Sequence, residues 1–369
     1  MIDYLAVKEE SVFGRYVTCE TLKTVWLTRL PNSCVKDVGY SVNGETIFSI
    51  SVGSGENRIL MWSQMHGNES TTTKAVLDLI NFLNSDNSFA TEILENCSLL
   101  IVPILNPDGA KNYTRVNASE IDLNRDAKQL TQPESKILRK LFADFKPNFC
   151  FNLHDQRTLF SAGNTNKPAT VAFLSPASDE SRKLTPVREK AMKLIVAMNK
   201  KLQTLIPGQV GRYDDGFNDN CVGDSFQMAG VPTILFEAGH FPDDYNRERT
   251  RELVFYALIE SLGVVAQNQV EDFKTEDYFK IPENQKLFYD ILVRNSQIVN
   301  TELNEETCIG IRFKEVLKDD SISFEPEVAD IGLLKGYYGH KTYDCLQQKD
   351  LKLLSSQANI LQLIKNIEA

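Results

Sequence analysis

Arg58-Ile59-Leu60-Met61-Trp62-Ser63-Gln64-Met65 runs directly into His66-Gly67-Asn68-Glu69 and then into Ser70-Thr71-Thr72-Thr73-Lys74-Ala75-Val76. The first segment is almost continuously apolar, as a strand covered on both faces must be. From Glu69 to Leu83 the period changes: Val76, Leu79, Ile80 and Leu83 fall on one helical face. A second apolar strand is expected at Leu99 to Leu105, and strand, helix, strand in that order specifies a right-handed parallel crossover. Downstream the pattern recurs, with a helix from about Pro133 to Phe145, a strand from Asn148 to Leu153, and a long helix around Ser181 to Ile206. The strand Pro232 to Phe236 and a helix from about Asn246 to Leu262 complete the series. Upstream, polar and apolar residues alternate over 45–52 after Asn43-Gly44, which predicts a hairpin with a partner over 36–42. The expected fold class is therefore α/β, a mostly parallel twisted sheet with an antiparallel edge hairpin and helices on both faces, over residues 1–266.

After about Gln267 the sequence turns more charged. Ile281-Pro282-Glu283-Asn284 reads as the opening of a helix, Gly310 to Phe313 and Ser321 to Phe324 as short strands, and Asp350 to Ile367 as a final amphipathic helix. A small C-terminal α+β domain of unassigned role, 267–369, is expected.

Ligands of open α/β sheets bind beyond the carboxyl ends of the strands. His66, the Asn106-Pro107-Asp108-Gly109 turn, His154 and Glu237 each follow a predicted strand, so four segments deliver polar groups to one edge. Two imidazoles and one carboxylate leave the fourth position of a tetrahedral Zn²⁺ open for water, and a separate carboxylate can take that water's proton. A lone His-x-x-Glu is weak by itself, and Glu69 alone would be an acidic residue at a helix start. The setting adds weight: Asn152 and Asp155 crowd around His154, and Glu237 follows an apolar run that would bury it uncompensated.

Taken in order, His66-x-x-Glu69, Asn106-Pro-Asp-Gly109, Arg115-Val-Asn-Ala-Ser-Glu-Ile-Asp122-Leu-Asn124-Arg125, His154 and Phe236-Glu237 resemble the zinc carboxypeptidases related to carboxypeptidase A, in particular bacterial members. The resemblance covers about residues 36 to 262. It implies that His66, Glu69 and His154 ligate Zn²⁺ and that Asp122 accepts a hydrogen bond from the second nitrogen of His66. It further implies that Arg115 stabilises the oxyanion, that Asn124 and Arg125 hold the terminal carboxylate, and that Glu237 is the general base. The family's lid tyrosine has its nearest candidate in Tyr213, which does not align cleanly and has loop packing as its alternative. The stretch from Arg125 to His154 is shorter than in the digestive enzymes and resembles related deacylases of N-acyl amino acids.

Asp224 selects a basic side chain if it points inward, and otherwise caps a helix or loop. His240 is expected to make a structural hydrogen bond and His340 to lie on the surface. The implied substrate is a peptide or small amino-acid-containing molecule with a free carboxylate. A zinc amidohydrolase of N-acyl amino acids and a catalytically silent carboxylate-binding module are the competing readings.

Composition narrows the classes. A formal charge of −10 without a Lys/Arg-rich stripe disfavours nucleic acid. Seven scattered cysteines, none in a Cys-x-x-Cys spacing, argue against a disulfide framework or a thiolate zinc site. The start carries no basic segment followed by an apolar one, and no apolar run reaches membrane-spanning length, so no membrane partner and a cytoplasmic location are expected.

Overall fold

In the computed structural model, residues 2–31 and 33–367 are described. Fourteen strands are present among them. Those of the first unit are β1 (Val35–Tyr40), β2 (Thr46–Val52), β3 (Asn57–Ser63), β4 (Cys97–Val102), β5 (Phe149–Asp155), β6 (Phe160–Ala162), β7 (Val171–Leu174), β8 (Val210–Arg212) and β9 (Thr233–Ala238). Those of the C-terminal part are β10 (Asn284–Lys286), β11 (Phe288–Arg294), β12 (Cys308–Lys318), β13 (Ser321–Gly332) and β14 (Tyr338–Asp344).

The main sheet has the order β1-β2-β4-β3-β5-β9-β7-β8. Its centre, β4-β3-β5-β9, is parallel, and the β1–β2 hairpin is the antiparallel edge that alternation and Asn43-Gly44 announce. Alternate residues of β3 serve opposite faces. Ile59 and Met61 pack with the helices Thr71–Leu83, Pro186–Gln203 and Glu248–Ala266, while Leu60 and Trp62 pack with Pro133–Phe145 and Val222–Met228. With both faces covered, neither set tolerates polarity, which is why β3 reads as unbroken apolar sequence over 59–62. Each such fully buried side chain contributes about 1.5–3 kcal/mol.

The amino-terminal segment, for which the sequence offers no pattern, packs across this unit. Trp26 is buried and donates to Asn81 Oδ1, and Tyr4 donates to Asp78, whose carboxylate also receives the buried Arg251 guanidinium.

The helix expected from residue 281 does not form. Asn284–Lys286 is extended and pairs antiparallel with Phe160–Ala162, and the backbone of Arg212 donates to Pro282 O. Tertiary strand pairing here overrides a local helix-start signal that is worth only a fraction of a kcal/mol per residue. Residues just after 267 remain on the α/β unit, with Tyr278 and Ile281 inside its core. We place the start of the second unit at Phe288, where a four-stranded sheet of order β13-β12-β11-β14 begins. Two of its strands, β12 and β13, run much further than the short segments expected at 310–313 and 321–324. The expected final helix is two, Gln348–Ser355 and Ala358–Lys365. The break lets Leu354, Ile360 and Ile364 all reach the core of this sheet. No helix among the described residues is long and apolar enough to cross a membrane.

Candidate metal centre and substrate cleft

At the end of β3 the chain turns sharply, with Gln64 in the left-handed region (φ 44°). Two glycines then allow two loops to touch: a Cβ on Gly67 would stand 1.9 Å from the carbonyl carbon of Gly109. Asn106 locks this contact, accepting the Gly109 N–H at 2.8 Å and donating to Met65 O at 3.2 Å. The Asn106-Pro-Asp-Gly109 turn thus buttresses the His66 loop from behind and does not line the cleft.

Asp155 ties the other side. Its carboxylate accepts the N–H groups of Thr71 and Thr72 at 2.9 and 3.3 Å, so the last residue of β5 caps the helix that follows Glu69. Its own N–H donates to Glu69 Oε2 at 3.2 Å. His154, one residue earlier, is thereby held against Glu69.

Three side chains converge as a result. His66 Nδ1 lies 2.9 Å from Glu69 Oε1, His154 Nδ1 lies 2.8 Å from Glu69 Oε2, and the two Nδ1 atoms are 3.1 Å apart. All three residues offer a ligand atom within 4.8 Å of one another. His66 Nε2 donates to Asp122 Oδ1 at 3.0 Å, which fixes the tautomer and turns the Nδ1 lone pair towards His154 and Glu69. Two facing nitrogen lone pairs beside a carboxylate call for a cation between them. The nitrogen and oxygen donor set, three ligands strong, fits zinc with one position left open. Burial raises the Glu69 carboxyl, but the close contacts of its two oxygens with the His66 and His154 rings outweigh that and hold the group well below its usual range. Burial pushes His154 down, so its imidazole is neutral and able to ligate.

Glu237 stands beside this group, in register with His154 on the neighbouring strand. It lies within β9, which runs two residues beyond the Phe236 expected as its end. Its Oε2 is shut off from solvent and has no hydrogen-bond partner. Burial, then the negative charges of Glu69 and Asp155, push its carboxyl well above the ordinary value, with Arg115 and Arg247 opposing.

Arg115, with a side chain 47% exposed, donates to Glu69 Oε1 at 3.2 Å and to Asp122 Oδ2 at 3.1 Å. Asn124 Oδ1 accepts the Val222 N–H at 3.0 Å, leaving its amide nitrogen to face the cleft. Arg125 donates only to neutral groups, Asn124 O at 2.8 Å and Cys221 Sγ at 3.2 Å. Tyr213 lines the same cleft, donates to Gln156 Oε1 at 2.8 Å, and packs edge-on against Phe160. Burial, followed by the charge of Glu237, keeps its hydroxyl protonated. All eight residues expected at the site therefore meet around one cavity of about 650 Å³.

Asp224 caps a loop and also points into the cavity. It accepts the Asn218 N–H at 3.2 Å and lines the cavity, where burial lifts its carboxyl to about 6. Two expectations fail. His240 makes no hydrogen bond through either ring nitrogen and packs against His340 and Tyr245 instead. His340 is no surface residue: its Nε2 donates to Thr158 O at 2.7 Å and its ring stacks on Phe288, at the junction of the two units.

Sequence reasoning missed a wall of the cleft. Arg15, Tyr113, Arg157, Lys286, Lys314 and Glu315 also line the cavity. Glu315 on β12 pairs with Arg15 at 3.0 Å and accepts from the Tyr113 hydroxyl, so the C-terminal sheet reaches the site.

Comparison with known proteins agrees with this geometry. "Probable carboxypeptidase 2" of Trichophyton verrucosum is 32% identical over 126 residues, 32% of this chain and 24% of that protein, so the chain aligns with only about a quarter of that relative's length. Among solved structures, a metallo-carboxypeptidase from Burkholderia cenocepacia superposes with a TM-score of 0.53 at 19% identity, covering 65% of this chain and 66% of the other. Carboxypeptidase A from Helicoverpa armigera gives 0.54 at 15% identity, covering 69% and 74%; at such identities the two structures speak for the fold alone. The zinc carboxypeptidase (Peptidase_M14) family model matches residues 24–231, more than half of the sequence, and the chain belongs to that zinc-dependent family.

Proposed function

We propose that this protein is a zinc metallocarboxypeptidase that hydrolyses a peptide bond next to a free terminal carboxylate. The observation that carries the proposal is Glu237: a carboxylate with an unpartnered, solvent-shielded oxygen, its pKa raised, beside the His66–Glu69–His154 trio. A module that only binds carboxylates has no use for such a group, because the buried charge costs stability and gives no affinity for an anion. Zinc, when bound by the trio, supplies a Lewis acid that polarises the scissile carbonyl and acidifies water. Glu237 takes the proton of the attacking water at Oε2 and delivers it to the leaving nitrogen, a task that a raised pKa suits. Arg115 stands where it can meet the developing oxyanion, and Arg125 with Asn124 receives the terminal carboxylate. The Arg125 fork, bound only to neutral acceptors, keeps its charge available for that role. Tyr213, whose hydroxyl stays protonated, can turn its single O–H from Gln156 Oε1 to the substrate, because Asn284 also donates to that oxygen.

The competing reading is hydrolysis of N-acyl amino acids, which needs the same metal and the same carboxylate anchor. A cavity of about 650 Å³ whose wall is extended by Lys286, Lys314 and Glu315 has room for more than an acetyl group, and this favours a peptide. The test is a series of substrates sharing one leaving amino acid, with the acyl side lengthened from acetyl or succinyl to one and then two residues. Rising kcat/KM along the series supports the peptidase; simple N-acyl amino acids turning over best would reject it.

A further inference from the structure

Three cations on the cleft wall make no close ion pair among the described residues, although Lys314 lies across the β12–β13 ladder from Glu325, whose own ion pair is with Lys318. Arg157 follows β5, Lys286 ends β10 and Lys314 belongs to β12; all three line the cavity and are exposed. Among the described residues none of them forms an ion pair, whereas Arg15 is matched by Glu315, and Arg115 by Glu69 and Asp122. A single exposed lysine is ordinarily a solvated charge. Here three arrive from three separate segments at one cavity, in a chain whose net charge of −10 otherwise repels anions.

These segments are held in place by the C-terminal sheet. The loop carrying Arg157 is stapled to it by His340 Nε2 donating to Thr158 O at 2.7 Å, by Phe288 N donating to Leu159 O at 3.1 Å, and by Thr158 Oγ1 donating to Asp290 Oδ2 at 3.2 Å. Lys286 lies opposite Phe160 in the β6–β10 ribbon. Lys314 precedes Glu315, whose bonds to Arg15 and Tyr113 fix β12 at the cavity. None of the three comes from the segments that carry Arg125 and Asn124 or from the Cys221–Val222 backbone to which those two are tied.

We propose that the C-terminal sheet builds the wall that receives the acyl side of the substrate, and that Arg157, Lys286 and Lys314 select an acidic peptide, one with carboxylate side chains upstream of the scissile bond. This rests on the carboxypeptidase reading above. It assigns a role to the C-terminal unit, which contributes Lys314 and braces the segments carrying Arg157 and Lys286: setting which residues precede the cut, while the α/β unit supplies the metal centre and the base.

The experiment compares two N-acetylated tripeptides with the same C-terminal residue, one carrying Glu-Glu and the other Gln-Gln ahead of it. The zinc-loaded protein is assayed at low and high ionic strength, as wild type and as the Lys286→Glu/Lys314→Glu variant. Both lysines are exposed, so the charge reversal is compatible with folding. The wild type is expected to favour the Glu peptide by about fivefold or more in kcat/KM at low salt, the scale of one or two partly solvated ion pairs. Salt shrinks that preference and the variant inverts it. Turnover of both peptides at equal efficiency, or a ratio that the double variant leaves unchanged, overturns the inference and leaves the carboxypeptidase reading standing. Absence of turnover on either peptide, and on every free-acid peptide of the acyl-length series, overturns that reading and the inference with it.

Discussion

Replacing Glu237 by Gln separates chemistry from architecture. The amide is nearly isosteric with the carboxyl, so the β9 backbone and its register with His154 are unaffected. What is lost is the ability of Oε2 to take a proton. A positioned acid–base group is worth about 10² to 10⁴ in rate, which corresponds to about 2.7 to 5.4 kcal/mol of barrier. A second consequence is opposite in sign. The native carboxyl is raised above its ordinary value of 4.5, first by burial and then by Glu69 and Asp155, so its charged form is penalised in the fold. Below pH 4.5 the group is protonated in both folded and unfolded chains and carries no penalty; as pH rises above 4.5 the unfolded chain ionises first and wild-type stability is eroded. The metal-free Glu237→Gln protein should therefore match the wild type at pH 4 and exceed it by about 1–3 kcal/mol at neutral pH, the usual cost of an unpaired buried group. Steady-state kinetics on a free-acid dipeptide and urea unfolding of the metal-free proteins at both pH values provide the readouts. A variant with near-normal kcat would refute the assignment of the base. A variant less stable than the wild type at pH 7 would refute the claim that the charge is uncompensated.

Three further outcomes are expected. His154→Ala removes one of three ligands and should release zinc on dialysis; full zinc occupancy by elemental analysis would contradict the ligand set. Gly67→Ala places a Cβ 1.9 Å from the Gly109 carbonyl carbon, so the two loops must separate, with a loss of about 3 kcal/mol or more by denaturant unfolding; a stability equal to wild type would show that the loops have slack. Arg125→Lys keeps the charge but loses the fork that matches a carboxylate, and KM should rise about tenfold or more with a smaller change in kcat; an unchanged KM would move the carboxylate anchor elsewhere.

The central strands and the metal trio were legible in the sequence for a common reason. β3, β5 and β9 are covered on both faces, so their sequences are largely apolar until they near the sheet edge, and the titratable residues there, His66, His154 and Glu237, stand out. The short strands β6, β7 and β8 were not legible, because runs of three or four residues have no measurable period and exist through their partners. For the same reason the β10 segment passed for a helix start. Arg15 and Glu315 are 300 residues apart, and an ion pair across that separation leaves no local mark on either segment. The C-terminal wall of the cleft therefore emerged only from the folded arrangement, although β12 itself alternates visibly. Asp155 shows a middle case: its position next to His154 suggested a cleft, while its actual work, capping the helix after Glu69, requires knowing that the two segments meet.

The central claim is tested most directly by incubating the zinc-loaded protein with an N-acylated dipeptide and with its C-terminal amide, and identifying the released fragments by mass. The account predicts release of a single C-terminal amino acid from the free acid, loss of that activity on chelation, its return with zinc, and a preference over the amide of about 1.5 to 3 kcal/mol, the worth of a hydrogen bond to a charged group. Equal cleavage of acid and amide, or activity that survives removal of the metal, would contradict it.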